Sequence, residues 1–126
     1  MNDPDFDVIV VGSGFAGLIA ALTAHEFGAS VLVVEAEAVA GGASRLSAGM
    51  MMAAESTVQA DAGIEDDKDS LYLEYMLANR WQIKPAIARR LSDRSGPTID
   101  WLVDLGVEFF PFVLEGGGER VPRTHV

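Results

Sequence analysis

Two short apolar runs without polar alternation, Val8-Ile9-Val10-Val11 and Val31-Leu32-Val33-Val34, stand near the start of the chain. Continuous aliphatic and β-branched runs of this length predict parallel strands covered on both faces. Between them Leu18, Ile19, Leu22 and Phe27 fall near i, i+3 or i+4 spacing, which predicts a helix, with Gly28 as its C-terminal stop. The order is strand, helix, strand. Further on the pattern is helical. Asp69 or Ser70 reads as the cap of a helix to about Arg80, with Leu71, Tyr75 and Leu77-Ala78 as its apolar contacts. Pro85 suits the first turn of a second helix to about Asp93, and Gly96-Pro97 opens a third carrying Ile99, Trp101, Leu102 and Leu105. Gly106 ends that helix, and Val107 to Phe112 reads as a short strand interrupted by Pro111.

The link from the first strand to the first helix is Gly12-Ser13-Gly14-Phe15-Ala16-Gly17, and Glu35 closes the second strand about 20 residues on. Gly12 allows the tight turn, Gly14 lets backbone come close to a pyrophosphate, and Gly17 lets the helix lie against the sheet with no Cβ between them. Phosphates would sit at the helix N-terminus, where free N–H groups and the positive end of the dipole favour anions. Glu35 would accept hydrogen bonds from adenosine ribose hydroxyls and repel a 2′-phosphate, which disfavours an NADP-type ligand. His25, near the end of the helix, reads as a solvent-facing residue beside the last carbonyls.

After Glu35 the chain passes Ala36-Glu37-Ala38-Val39-Ala40 into Gly41-Gly42-Ala43-Ser44 and then Ser47-Ala48-Gly49. Small residues let main-chain N–H groups approach a planar ligand, and the serines add hydroxyls; an ordinary loop has a similar composition.

Together, Gly12 to Gly17, Glu35, Gly41 to Gly49, Ala53-Ala54 and Trp101 to Phe109 resemble the flavoproteins that include soluble fumarate reductases, succinate dehydrogenase flavoprotein subunits and 3-ketosteroid Δ1-dehydrogenases. The resemblance covers nearly the whole chain. It implies an α/β fold, the N-terminal portion of a Rossmann-like FAD-binding domain, in which β-α-β is followed by helices. It also implies FAD, with the adenosine end held between Gly12 and Glu35 and the isoalloxazine near Ala43 to Gly49. The expected contacts are Gly12, Gly14, Phe15, Ala16, Gly17, Glu35, Ala36, Gly42, Ala43, Ser44, Ser47, Ala48 and Gly49. Members that tether FAD covalently carry a histidine where Ala43 stands, so the resemblance implies non-covalent FAD here.

Composition narrows the partners. The chain has 126 residues, of which 49% are hydrophobic and 22% charged, within the range of a single globular domain. Its net charge of −10 argues against nucleic acid and anionic membrane surfaces. No apolar run approaches the roughly 18 residues of a membrane span, and Asp3, Asp5 and Asp7 stand where a signal peptide would be basic, so a cytoplasmic protein is expected. The absence of cysteine excludes disulfides and thiol catalysis. Glu65-Asp66-Asp67-Lys68-Asp69 reads as a solvated loop, and no metal site is expected there because it lacks the glycine and terminal glutamate of a calcium loop. Gly116-Gly117-Gly118 reads as a flexible loop rather than a second phosphate cradle.

Two parallel strands do not make an independent sheet in water. The domain is therefore expected to be incomplete without another chain, with 1–126 as its N-terminal part completed by a second polypeptide that also brings the substrate domain. The chain is read as the small chain of a split flavoenzyme or an N-terminal cleavage product. The resemblance implies an FAD-dependent oxidoreductase acting on a C–C bond next to a carbonyl of a small-molecule substrate. That covers dehydrogenation of a ketosteroid or cyclic ketone, or reduction of the fumarate type. The alternatives are a non-catalytic FAD-binding or assembly subunit and an NAD-binding domain fragment. Arg123 and His125 are the tempting catalytic pair, but positioning of backbone or flavin is the preferred role and the catalytic residues stay unassigned. Tyr72, Tyr75 and Trp81 read as core or interface residues.

Overall fold

The computed structural model describes residues 5–126 in two units that divide after Gly49. Asp3 lies outside the described residues.

In the first unit β1 (Val8–Val11) and β2 (Val31–Val34) pair in parallel, with Val8 opposite Val31 and Val11 opposite Val34. The aliphatic runs thus form the strands predicted for them. Their entry points are tied together, since Asp7 Oδ2 accepts from the N–H and hydroxyl of Ser30 at 2.8 and 2.6 Å. The crossover is α1 (Phe15–Glu26). It stops where predicted: Gly28 has a φ of +87°, its N–H donates to His25 O, and the Ala29 N–H donates to Ala24 O. These bonds satisfy two of the helix's last carbonyls. No residue of α1 is buried, and the strands are open too, with Ile9 61% and Val11 85% exposed.

The second unit, Met50–Val126, has its own core of Ala53, Ala54, Leu71, Met76, Ala88, Ile99 and Val113. It opens with β3 (Met51–Met52), which pairs antiparallel with β4 (Thr124–His125). Next comes α2 (Thr57–Asp61), a helix not predicted above. Ser56 Oγ accepts from the Gln59 N–H at 3.0 Å and Gln59 Oε1 accepts from the Ser56 N–H at 3.4 Å, a reciprocal cap that Ser-x-x-Gln encodes.

Helix α3 (Lys68–Ala78) begins earlier than predicted. Its cap is Asp67, whose Oδ1 accepts from the Ser70 N–H at 2.7 Å; Asp69 and Ser70 lie inside the helix. It ends without glycine, because Arg80 and Trp81 take φ values of 51° and 59° while their N–H groups close onto Leu77 O and Met76 O.

The two predicted helices at Pro85 and Gly96-Pro97 are one, α4 (Pro85–Asp104). Ala88, Ser92, Ser95, Gly96 and Ile99 form a single buried stripe that runs past Pro97, which is itself exposed. Burial of that stripe outweighs the lost N–H of one proline. Gly96 has a packing reason, since a Cβ there would lie 2.6 Å from Glu55 O and closer still to Ala54 O. Val107 to Phe112 is not a strand. The Val107 N–H closes back onto Leu102 O at 3.0 Å at the end of α4, and the Phe110 N–H donates to Val126 O at 2.8 Å while its side chain is exposed. No helix among the described residues is long and apolar enough to cross a membrane.

Candidate functional site

The first unit gathers the predicted turn, the predicted acid and the start of the small-residue segment. Gly12 leaves β1 with a φ of +96°, and its N–H donates to Val34 O at 2.7 Å, which extends the parallel pairing by one residue. Gly17 is fixed by packing. A Cβ there would fall on the carbonyl oxygen of Gly12 and lie 3.3 Å from Val10 Cγ1, so α1 meets the strand exit only with glycine at this position. Gly14 is the N-cap residue of α1 and has no side chain to close the first turn. Ser44 closes part of it, its Oγ accepting from the Phe15 N–H at 2.9 Å. The N–H groups of Ala16 and Gly17 follow in the same first turn, where an anion is favoured.

Glu35 is held rather than free. Its Oε2 accepts from the N–H of Ser13 at 2.8 Å and from the Ser13 hydroxyl, and its Oε1 accepts from the Glu37 N–H at 3.0 Å. The Ser13 hydroxyl, followed by the N–H groups of Glu37 and Ser13, draws the Glu35 carboxyl down to about 2. The group is therefore anionic at neutral pH, as repulsion of a 2′-phosphate requires. Ser13, not singled out from the sequence, is the residue that holds it; the signal was a hydroxyl side chain between two glycines.

The rest of the expected site lies on the loop that follows. Ala36 is exposed, Gly42, Ala43 and Ser44 belong to a short 3-10 turn (Gly42–Leu46), and Ser47 ends it. Ala48 has a φ of 55°, unusual for a residue with a Cβ, and precedes Gly49 at 76°. The Gly49 N–H donates to Ser47 Oγ at 3.3 Å. The unit thus brings Gly12 to Gly17, Glu35 and Ser44 together, while Ser47 to Gly49 form a separate local turn.

In the second unit Arg123 and His125 are fully buried. Arg123 donates through Nε and Nη2 to both oxygens of Asp66, at 2.7 and 2.6 Å. Its Nη1 donates to Glu74 Oε2 at 2.6 Å and its Nη2 also to Ser70 Oγ at 3.0 Å. Burial alone would push the Asp66 carboxyl up, but the hydrogen bonds from Arg123 and Gln59 outweigh it and hold the group below the usual range. Asp66 is thus not the solvated residue expected of an acidic loop; its guanidinium partner arrives 57 positions later. His125 Nδ1 faces Arg123 O at 2.8 Å, so this nitrogen carries a proton, and Nε2 lies 2.6 Å from Ser56 Oγ. Phe109 meets the imidazole edge-on at 6.0 Å. Arg123 thus ties the end of the chain to Asp66 and to α3, and His125 ties β4 to the cap of α2. Tyr72 stacks beneath Arg89 at 5.0 Å, the Tyr75 hydroxyl donates to Met52 Sδ at 3.2 Å, and Trp81 is exposed.

Residues 7–125 match the family described as FAD binding domain. The NADH:fumarate oxidoreductase of Klebsiella pneumoniae is 39% identical over 120 residues, which are 95% of this chain and 13% of that protein. Among solved structures, the open conformation of a flavocytochrome c3 fumarate reductase superposes with a TM-score of 0.87 at 35% identity, covering 95% of this chain and 21% of the other. The 3-ketosteroid-Δ4-(5α)-dehydrogenase of Rhodococcus jostii RHA1, in complex with 4-androstene-3,17-dione, gives 0.79 at 30% identity, covering 94% and 26%. The chain spans about a quarter or less of the length of each of these proteins. The chain belongs to the FAD binding domain family, its fold is the N-terminal FAD-binding region of such flavoproteins, and its cofactor is FAD.

Proposed function

We propose that residues 5–49 hold the adenosine end of FAD without a covalent bond, as part of an oxidoreductase acting on a C–C bond next to a carbonyl or carboxylate. The observation that carries this reading is the first turn of α1, which has no side-chain cap at Gly14 and lies beside the fixed anion of Glu35. Such a turn takes up a pyrophosphate, and such a carboxylate takes up a ribose hydroxyl. Of the expected contacts, Gly12, Gly14, Phe15, Ala16, Gly17, Glu35 and Ser44 form this adenosine and phosphate side. Ala36, Gly42, Ala43, Ser47, Ala48 and Gly49 extend it toward the ring. Bound flavin supplies the redox chemistry, while the protein orients it and tunes its surroundings. The family match favours FAD over the NAD-binding fragment.

The remaining strands and the substrate-facing groups come from further polypeptide, in the same chain or a second one. The open β1 and β2 faces support this. The substrate reading draws on the relatives, which are named as fumarate reductases and a ketosteroid dehydrogenase. A visible spectrum of the native protein and of its denatured supernatant tests the cofactor: flavin is expected in both. Flavin that stays with the precipitate contradicts non-covalent binding, and colourless protein contradicts the site. Anaerobic bleaching by a ketosteroid identifies a dehydrogenase, and reoxidation of reduced flavin by fumarate identifies a reductase. Failure of every such compound leaves the assembly subunit.

A further inference from the structure

Ser13 lies between the first two glycines of the turn and is only 3% exposed. Its hydroxyl works in both directions, donating to Glu35 Oε2 and accepting from the Gly41 N–H at 2.9 Å. Its own N–H donates to the same Oε2. One hydroxyl carries one proton and two lone pairs, so both bonds form together, and an apolar side chain of similar size supplies neither. Three separate pieces of chain therefore meet on one oxygen: the turn after β1, the carboxylate that closes β2 and the first glycine of the small-residue segment.

The acceptor count shows what this arrangement does. A carboxylate offers about four acceptor positions. Oε2 receives two donors, both from Ser13, and Oε1 receives one, from Glu37. Oε2 is filled by Ser13, while the backbone N–H groups of Glu37 and, more weakly, Ala36 also serve the carboxylate, so the orientation set by Ser13 selects which edge of Glu35 meets a ligand.

We propose that Ser13 is a positioning residue for the cofactor, fixing Glu35 with its Oε1 edge toward the ribose and binding Gly41 into the same site. This rests on the reading of residues 5–49 as the adenosine side of an FAD site. The backbone turn itself is supplied by Gly12, and the close approach of the helix by Gly17. The Ser13 side chain is thus free to act on Glu35.

The test uses the native protein, Ser13→Ala, Glu35→Gln and the double variant, with FAD affinity measured for each. The Glu35 carboxyl is also titrated by 13C NMR, its signal assigned by its loss in Glu35→Gln. Ser13→Ala is expected to weaken FAD by about tenfold, the effect of losing one hydrogen bond to a charged group. In that variant Glu35 should titrate nearer the ordinary glutamate range. On the Glu35→Gln background the same change should cost less than about threefold, because residues acting as one unit are not additive. A full tenfold loss on that background, or an unchanged Glu35 titration in Ser13→Ala, would overturn the proposal. Absence of FAD from the unsubstituted protein would overturn the cofactor reading, while the titration would still decide whether Ser13 controls Glu35.

Discussion

Residues 5–49 and residues 50–126 use apolar side chains in opposite ways. The first unit has the more apolar elements, yet none of α1 is buried and Phe27 stands 88% exposed. The second contains the polar helix α4 and still closes a core around Ile99, Leu71 and Met76, with charges inside it. The difference separates two jobs. Polar bonding in the first unit gathers at Ser13, Glu35, Gly41 and Ser44, where a ligand is expected, and its apolar side chains lie open. The second unit has a buried polar set, in which Arg123, Asp66, His125 and Ser56 hold its own elements together, besides exposed pairs such as Arg89 with Asp69 and Asp93.

The contrast can be broken most strongly at Asp66. Removing it by Asp66→Ala leaves the buried Arg123 with Glu74 and Ser70 alone, and losing one partner of a buried pair costs about 3–5 kcal/mol. Chemical denaturation of the native protein should show this loss, with the Glu35 titration unchanged. The next largest effects are at the two tightly packed glycines. Gly17→Ala and Gly96→Ala each force a methyl group onto backbone carbonyls, an overpacking cost of ~2 kcal/mol. Gly17→Ala should also lower FAD retention, whereas Gly96→Ala should lower the melting temperature with FAD affinity kept in the folded fraction. Equal effects on affinity would erase the distinction between the units.

Acid sharpens it further. Both Asp66 and Glu35 have depressed pKa values, so each contributes above its unfolded pKa and loses that contribution as pH falls toward its folded value. For Asp66 the loss begins near its ordinary 3.8 and continues below; for Glu35 it spans 4.5 down to about 2. Stability measured from pH 7 to pH 2 should fall on the acid side, and Asp66→Asn should flatten that fall. The smallest effect is expected at Arg80, a non-glycine residue in the left-handed region at the end of α3. Arg80→Gly relieves that conformation while loosening the unfolded chain, for a net gain of ~0.5 kcal/mol in denaturant unfolding.

What was legible in the sequence was local. Val8 to Val11, Val31 to Val34, the glycines between them and Glu35 lie within one βαβ unit, so pattern and spacing sufficed. Pro97 misled because a helix-breaking signal is local, whereas the buried stripe from Ala88 to Ile99 that overrides it depends on packing against Ala54 and Glu55. Val107 to Phe112 has strand-like apolar residues but no strand partner. Asp66 looked solvated because nothing within ten residues reveals a guanidinium 57 positions away. Ser13 stands at the variable place in a glycine pattern, and its chemistry becomes visible only when Glu35 and Gly41 are brought to it.

On the proposed reading, residues 1–126 should fail to hold FAD alone and succeed when completed. FAD retention by residues 1–126 in isolation, set against retention by the native protein with all its polypeptide, measures that difference. We expect no retained flavin in the first case and close to one FAD per site in the second. Tight FAD binding by the isolated residues, or none in the native protein, would contradict it.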